Sequence, residues 1–128
     1  MLSRLQVRNY VLIDSLEIDF PEGLIIITGQ TGAGKSILLG ALSLIMGSKA
    51  DASMISSDAE NCVVEAEFDV DPKDAALRDE LDENGVEWDG GHLIVRRVVN
   101  RSGRSRAFVN DSPVSVQVLQ DLASRLVD

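Results

Sequence analysis

Eight consecutive residues, Gly29-Gln30-Thr31-Gly32-Ala33-Gly34-Lys35-Ser36, bring together glycines, one primary amine and one hydroxyl. Glycines let a loop turn so tightly that successive backbone N–H groups point inward at an anion. An ammonium and a hydroxyl at the end of such a loop add a mobile positive charge and a hard oxygen ligand. The spacing G-x-x-x-x-G-K-S is that of the loop that cradles the phosphates of a nucleoside triphosphate. In that chemistry Lys35 reaches the β- and γ-phosphate oxygens and the Ser36 hydroxyl ligates Mg²⁺. Gln30, Thr31 and Ala33 occupy the free positions and contribute mainly backbone N–H groups.

Such a loop works only between a strand and a helix, and both are predicted. Leu24-Ile25-Ile26-Ile27 is a run of branched apolar residues, which predicts a strand buried on both faces as in a parallel sheet. Gly34 to Met46 predicts a helix whose N-terminal dipole adds to the anion site. Ile37, Leu38, Ala41, Leu42 and Ile45 fall on one broad face of it, Leu44 and Met46 widen that face, and Gly47 is placed to end it in a left-handed cap.

The remaining pattern supplies a frame. Alternation predicts strands through Leu5, Val7 and Asn9 and through Leu16, Ile18 and Phe20, with Asn9 to Ser15 between them and a turn at Pro21-Glu22-Gly23. Ser48 to Asn61 reads as a loop. Cys62 to Val70 alternates as a strand with Val64, Ala66, Phe68 and Val70 inward. Asp71-Pro72 predicts a helix start, Leu77 and Leu81 its buried stripe, and Asn84-Gly85 its end. His92 to Val99 and Ser105 to Asn110 predict a β-hairpin turning at Asn100 to Arg104. Ser115 then caps a helix carrying Leu119, Leu122 and Leu126.

Composition bounds the possibilities. The 128 residues suffice for one domain with a core, and mean hydropathy near zero, +0.06, describes a soluble protein. No apolar run approaches the roughly 18 residues of a membrane span, and no secretory signal opens the chain, so a cytoplasmic home without membrane contact is expected. A lone cysteine, Cys62, excludes an internal disulfide and a cysteine zinc site, and its setting before Val63-Val64 predicts a buried strand residue. Trp88 is expected to pack, and a lone histidine, His92, has no partners for a metal site. The net charge of −9 is concentrated in residues 51–90, where fourteen acids face only Lys73 and Arg78. That balance argues against nucleic-acid binding by bulk charge. Arg101, Arg104 and Arg106 cluster at the hairpin, either as a solvated tip or as a phosphate or partner contact.

Hydrolysis needs an acidic residue at another strand end to help hold Mg²⁺ and a group to position water. Downstream of Ser36 no apolar strand ends in paired acids; Phe68-Asp69 belongs to an alternating strand and Leu126-Val127-Asp128 to a helical pattern. The chain therefore reads as the binding half of an ATPase, with no catalytic residue of its own.

Leu5-Gln-Val-Arg-Asn-Tyr10, Leu16-Glu-Ile-Asp-Phe20, the glycine loop, Gly47-Ser-Lys-Ala-Asp51 and Gly103-Arg-Ser-Arg-Ala-Phe-Val-Asn110, in that order, resemble the start of the RecN family of DNA-repair ATPases, within the wider structural-maintenance-of-chromosomes (SMC) and ABC-type ATPases. The resemblance implies an α/β P-loop NTPase fold. It would be an ABC/SMC head-like N-terminal lobe, with a mixed sheet around the P-loop helix and an antiparallel β-hairpin. It implies that residues 1–128 are the N-terminal part of a head whose coiled coil and C-terminal lobe lie elsewhere. It implies ATP and Mg²⁺ as ligands and places Arg8 and Asn9 near the nucleotide. The partners it implies are the C-terminal lobe of the same protein, a second head in a homodimer, and DNA through the parent, in a cytoplasmic, nucleoid-associated setting. Ser56-Ser57 stands where the family commonly has a basic residue, Lys49 where arginine is more frequent, and Gln30 where glutamate is frequent. Two other readings compete: a stand-alone P-loop phosphotransferase of the nucleotide-kinase kind, and a structural or dimerising fragment that binds no nucleotide.

Overall fold

In the computed structural model the described residues are 2–11, 13–20, 32–88 and 90–126, with side chains of the helix that opens at Gly32 described from Ile37 onward. In chain order they form β1 (Leu2–Tyr10), β2 (Ile13–Asp19), α1 (Gly32–Ile45), a 3-10 turn (Ala52–Met54), β3 (Asn61–Asp69), α2 (Ala75–Glu83), β4 (His92–Asn100), β5 (Ser105–Val109), β6 (Ser112–Val114) and α3 (Val116–Leu126). The strands make one six-stranded sheet in the order β2-β1-β3-β4-β5-β6, each described pair antiparallel. The predicted strand at Leu24–Ile27 lies outside the described residues.

Period-two alternation decides the faces. Leu5 and Val7 of β1, Cys62, Val64, Ala66 and Phe68 of β3, Leu93, Val95 and Val99 of β4, and Ala107 and Val109 of β5 are all buried. Leu38, Ala41, Leu42, Leu44 and Ile45 of α1 belong to the same core, with Leu77 and Leu81 of α2 and Leu119, Leu122 and Leu126 of α3. Helix α1 packs on β3 and β4, and α3 on β5. The opposite face carries Gln6, Arg8, Glu65 and Arg96, where Arg96 pairs with Asp111 (3.1 Å) and Glu65 (3.7 Å) and lies 4.6 Å over the Phe108 ring. One register shift, between Leu2 and Arg4, makes Ser3 a bulge. Its carbonyl accepts from Phe20 N–H (2.8 Å) and its hydroxyl donates to Glu67 O (3.2 Å).

Several boundaries differ from the pattern. Asp71-Pro72 does not start α2: the Asp74 N–H returns to Asp71 O (3.0 Å) in a turn, and Asp74 caps the helix by accepting from Leu77 N–H (3.0 Å). Proline at the second position of a turn explains why the same residues can read either way. Strand β5 ends at Val109, because Asn110 and Asp111 both adopt left-handed backbone (φ 49° and 67°) and reverse the chain into β6. The stretch from Ser48 to Asn61 is not all irregular: it holds the 3-10 turn and a bridge from Ile55 to Tyr10.

Candidate functional site

Helix α1 is the element on which the glycine loop bears. It opens at Gly32, two residues earlier than the pattern predicts, so Gly32, Ala33, Gly34, Lys35 and Ser36 form its first turns, while Gly29, Gln30 and Thr31 lie outside the described residues. The first N–H groups of a helix have no intrahelical acceptor, and the aligned peptide dipoles put partial positive charge there. Helix starts in general suit anions for that reason.

The opposite end of α1 is held by a residue that the sequence reading missed. Arg97 of β4 is 2% exposed on the core side of the sheet. It donates from Nη1 to the carbonyls of Leu44 and Ser48 (2.8 Å each) and from Nε to Ser105 Oγ (2.6 Å). A buried cation is costly unless compensated. Here the compensation comes from Leu44 O in the last turn of α1, which also accepts from Gly47 N–H (3.1 Å), and from Ser48 O three residues past the helix end. Burial pulls the Arg97 pKa down, yet a guanidinium starts high enough to stay charged. The signal was present in the sequence: with Leu93, Val95 and Val99 inward, alternation already placed Arg97 among them. Gly47 completes the stop at φ 94°, and Gln120 of α3 donates Nε2–H to its carbonyl (3.0 Å).

Midway along α1, Gly40 admits a close neighbour. A Cβ at Gly40 would stand 2.2 Å from the Tyr10 hydroxyl, so the end of β1 presses on the helix where only glycine leaves room. Desolvation first, and the Cys62 sulfur second, raise the Tyr10 pKa. Arg8 and Asn9 precede Tyr10 at the end of β1. The two residues part ways there. Arg8 is exposed on the open face of the sheet, beside a depression of about 190 Å³ shared with Gln6, Val63, Glu65 and Arg96. Asn9 adopts left-handed backbone (φ 58°), its amide donates to Asn61 O (3.1 Å) and its carbonyl accepts from Ser56 N–H (2.9 Å).

Ser56 is thus a structural clasp: its hydroxyl also donates to Val11 O (2.7 Å). The hairpin arginines divide as well. Arg101 donates from Nη2 to Ser56 O (2.8 Å), Ser57 O (3.0 Å) and Ala59 O, tying the hairpin tip to that loop. Arg104 and Arg106 are exposed. Among the described residues no group of three or more His, Cys, Asp or Glu is placed to hold a metal ion, and no helix is long and apolar enough to cross a membrane.

Residues 4–123 match the AAA domain family, described as "AAA domain". The chain belongs to that family. In sequence it is similar to RecN proteins, and in fold to SMC and RecF structures. The DNA repair protein RecN of Vibrio cholerae is 38% identical over 128 residues, covering all of this chain and 23% of that protein. The lobe therefore spans under a quarter of such a relative's length. Its fold is that of an Smc head domain with an extended coiled coil from Pyrococcus furiosus (TM-score 0.70, 19% identity, 96% of this chain and 32% of that one). It is equally that of the recombination mediator protein RecF (TM-score 0.68, 20% identity, 93% of this chain and 29% of that one). The lobe is an α/β fold of the P-loop ABC/SMC head type.

Proposed function

We propose that the lobe binds ATP·Mg²⁺ for a RecN-like ATPase of DNA double-strand-break repair and recombination. Backbone amides of Gly29 to Ser36 take the phosphates, Lys35 neutralises the β- and γ-oxygens, and the Ser36 hydroxyl is a ligand for Mg²⁺. The donor set fits that hard cation, which prefers oxygen ligands and keeps several waters. Mg²⁺ when bound supplies charge neutralisation across the phosphates. Arg8 and Asn9 border the nucleotide, and hydrolysis requires the C-terminal lobe of the same protein and a second head. DNA is met through the parent, in a cytoplasmic, nucleoid-associated setting.

The observation that carries this reading is that G-x-x-x-x-G-K-S runs into the first turns of a helix whose far pole is neutralised by a buried arginine. Titration calorimetry with ATP and Mg²⁺ tests it. Saturable one-site binding is expected, weakened at least roughly tenfold by Lys35→Ala, since charge-assisted contacts of this kind contribute about 1.5–3 kcal/mol. No binding, or binding indifferent to Lys35→Ala, would overturn it. Substantial turnover by the lobe alone would refute the need for the second lobe.

A further inference from the structure

We propose that Arg97 is a positioning residue for the nucleotide: by gripping Leu44 O in the last turn of α1 and Ser48 O just past it, Arg97 sets where the opposite, phosphate-facing end of that helix stands. This inference rests on the nucleotide reading above. Arg97 lies at the pole of α1 opposite Gly32, about 20 Å away along the axis, too far for a useful direct charge effect in a hydrated protein. Its influence has to travel through the helix as a rigid body.

The geometry suits that role. No carboxylate pairs with Arg97 among the described residues; its donors go to Leu44 O, Ser48 O and Ser105 Oγ. The guanidinium fork therefore ties two successive elements of the hairpin, β4 and β5, to the end of α1. Gln120 adds a tie from α3 through Gly47 O. A planar fork can satisfy the helix end and Ser105 together, which an ammonium on a flexible stem cannot. Polar sites demand placement to about 0.5 Å, and an error near 1 Å is already expensive. A slack C-terminus would shift the whole of α1, including Lys35 and Ser36.

The test compares Arg97→Met, Arg97→Lys and, as a stability control on α2, Leu81→Ala. Each is measured for ATP·Mg²⁺ affinity by calorimetry at a temperature where urea unfolding shows it fully folded. Arg97→Met is expected to weaken ATP binding roughly three- to thirtyfold, with Arg97→Lys intermediate. Leu81→Ala, at equal or greater loss of stability, is expected to bind ATP as the parent does. Unchanged affinity in Arg97→Met, or an equal loss in Leu81→Ala, would overturn the proposal. If Arg97→Met does not fold, Arg97→Lys decides alone, and wild-type affinity there overturns it. Failure of the nucleotide reading is separable: it appears as a parent lobe that binds no ATP or ignores Lys35→Ala, and takes the positioning role with it.

Discussion

Replacing Gly40 by alanine puts a methyl group where Tyr10 already stands. In an open helix interior the change would stabilise by about 1 kcal/mol, because glycine loses more backbone entropy than alanine on folding. Here the new Cβ meets the Tyr10 hydroxyl at 2.2 Å and the ring Cζ at 3.3 Å. Relieving that clash means moving a half-buried aromatic ring, and overpacking of this kind costs about 1–3 kcal/mol. The two effects nearly offset at the low end, so Gly40→Ala should lie between neutral and about 2 kcal/mol destabilising. The sharper quantity is the coupling. Tyr10→Phe removes the atom at 2.2 Å and leaves only the tolerable 3.3 Å approach. In the Gly40→Ala background it should therefore recover at least about 1 kcal/mol, although it gains nothing on its own. A double-mutant cycle by urea denaturation measures this directly. Additivity within about 0.5 kcal/mol, or a Gly40→Ala protein more stable than the parent by about 1 kcal/mol, would refute the packing of β1 on α1.

Other outcomes follow from single contacts. Gly47→Ala adds a Cβ 2.5 Å from Gln120 Cγ and 3.0 Å from its backbone N at a φ of 94°, so it should lose about 1–3 kcal/mol in chemical denaturation. Asp74→Ala should cost about 1 kcal/mol as the loss of a helix cap, and Asp71→Ala less; the reverse ranking would restore Asp71 as the cap. Burial pushes the Cys62 thiol up to about 11 from 9.0, so the folded state disfavours the thiolate. That contribution is complete below pH 9 and is lost as pH rises toward 11, on the order of 2–3 kcal/mol. Urea midpoints measured from pH 8 to 10.5 should fall, and Cys62→Ala should flatten that fall.

Much of the frame was legible because alternation and apolar spacing express burial directly. Val64, Ala66 and Phe68 of β3, Leu77 and Leu81 of α2, and Leu119, Leu122 and Leu126 of α3 sit where period and spacing put them. The glycine loop stands out for another reason: the G-x-x-x-x-G-K-S spacing is one that phosphate chemistry, rather than packing, would select. What escaped depends on contacts distant in sequence. Arg97 was passed over because charge suggests exposure, and only the carbonyls of α1 make its burial tolerable. Strand β6 contains Pro113, which argues against a strand, yet it lies at the sheet edge, where a missing N–H goes unneeded. The roles of Ser56 and Arg101 are equally tertiary, since each serves the other's loop.

The order β2-β1-β3-β4-β5-β6 carries a consequence for how the chain assembles. Four of the five described pairings join strands consecutive in the chain; the joining of β1 to β3 alone among them brings together residues separated by the excursion Phe20 through Glu60. That excursion contains α1. A backbone cut inside it would leave a two-stranded ribbon and a four-stranded meander, joined by the β1–β3 hydrogen bonds and by the packing of α1. The lobe is thus a natural candidate for split-protein complementation, with reassembly of the two pieces reporting on whatever braces α1.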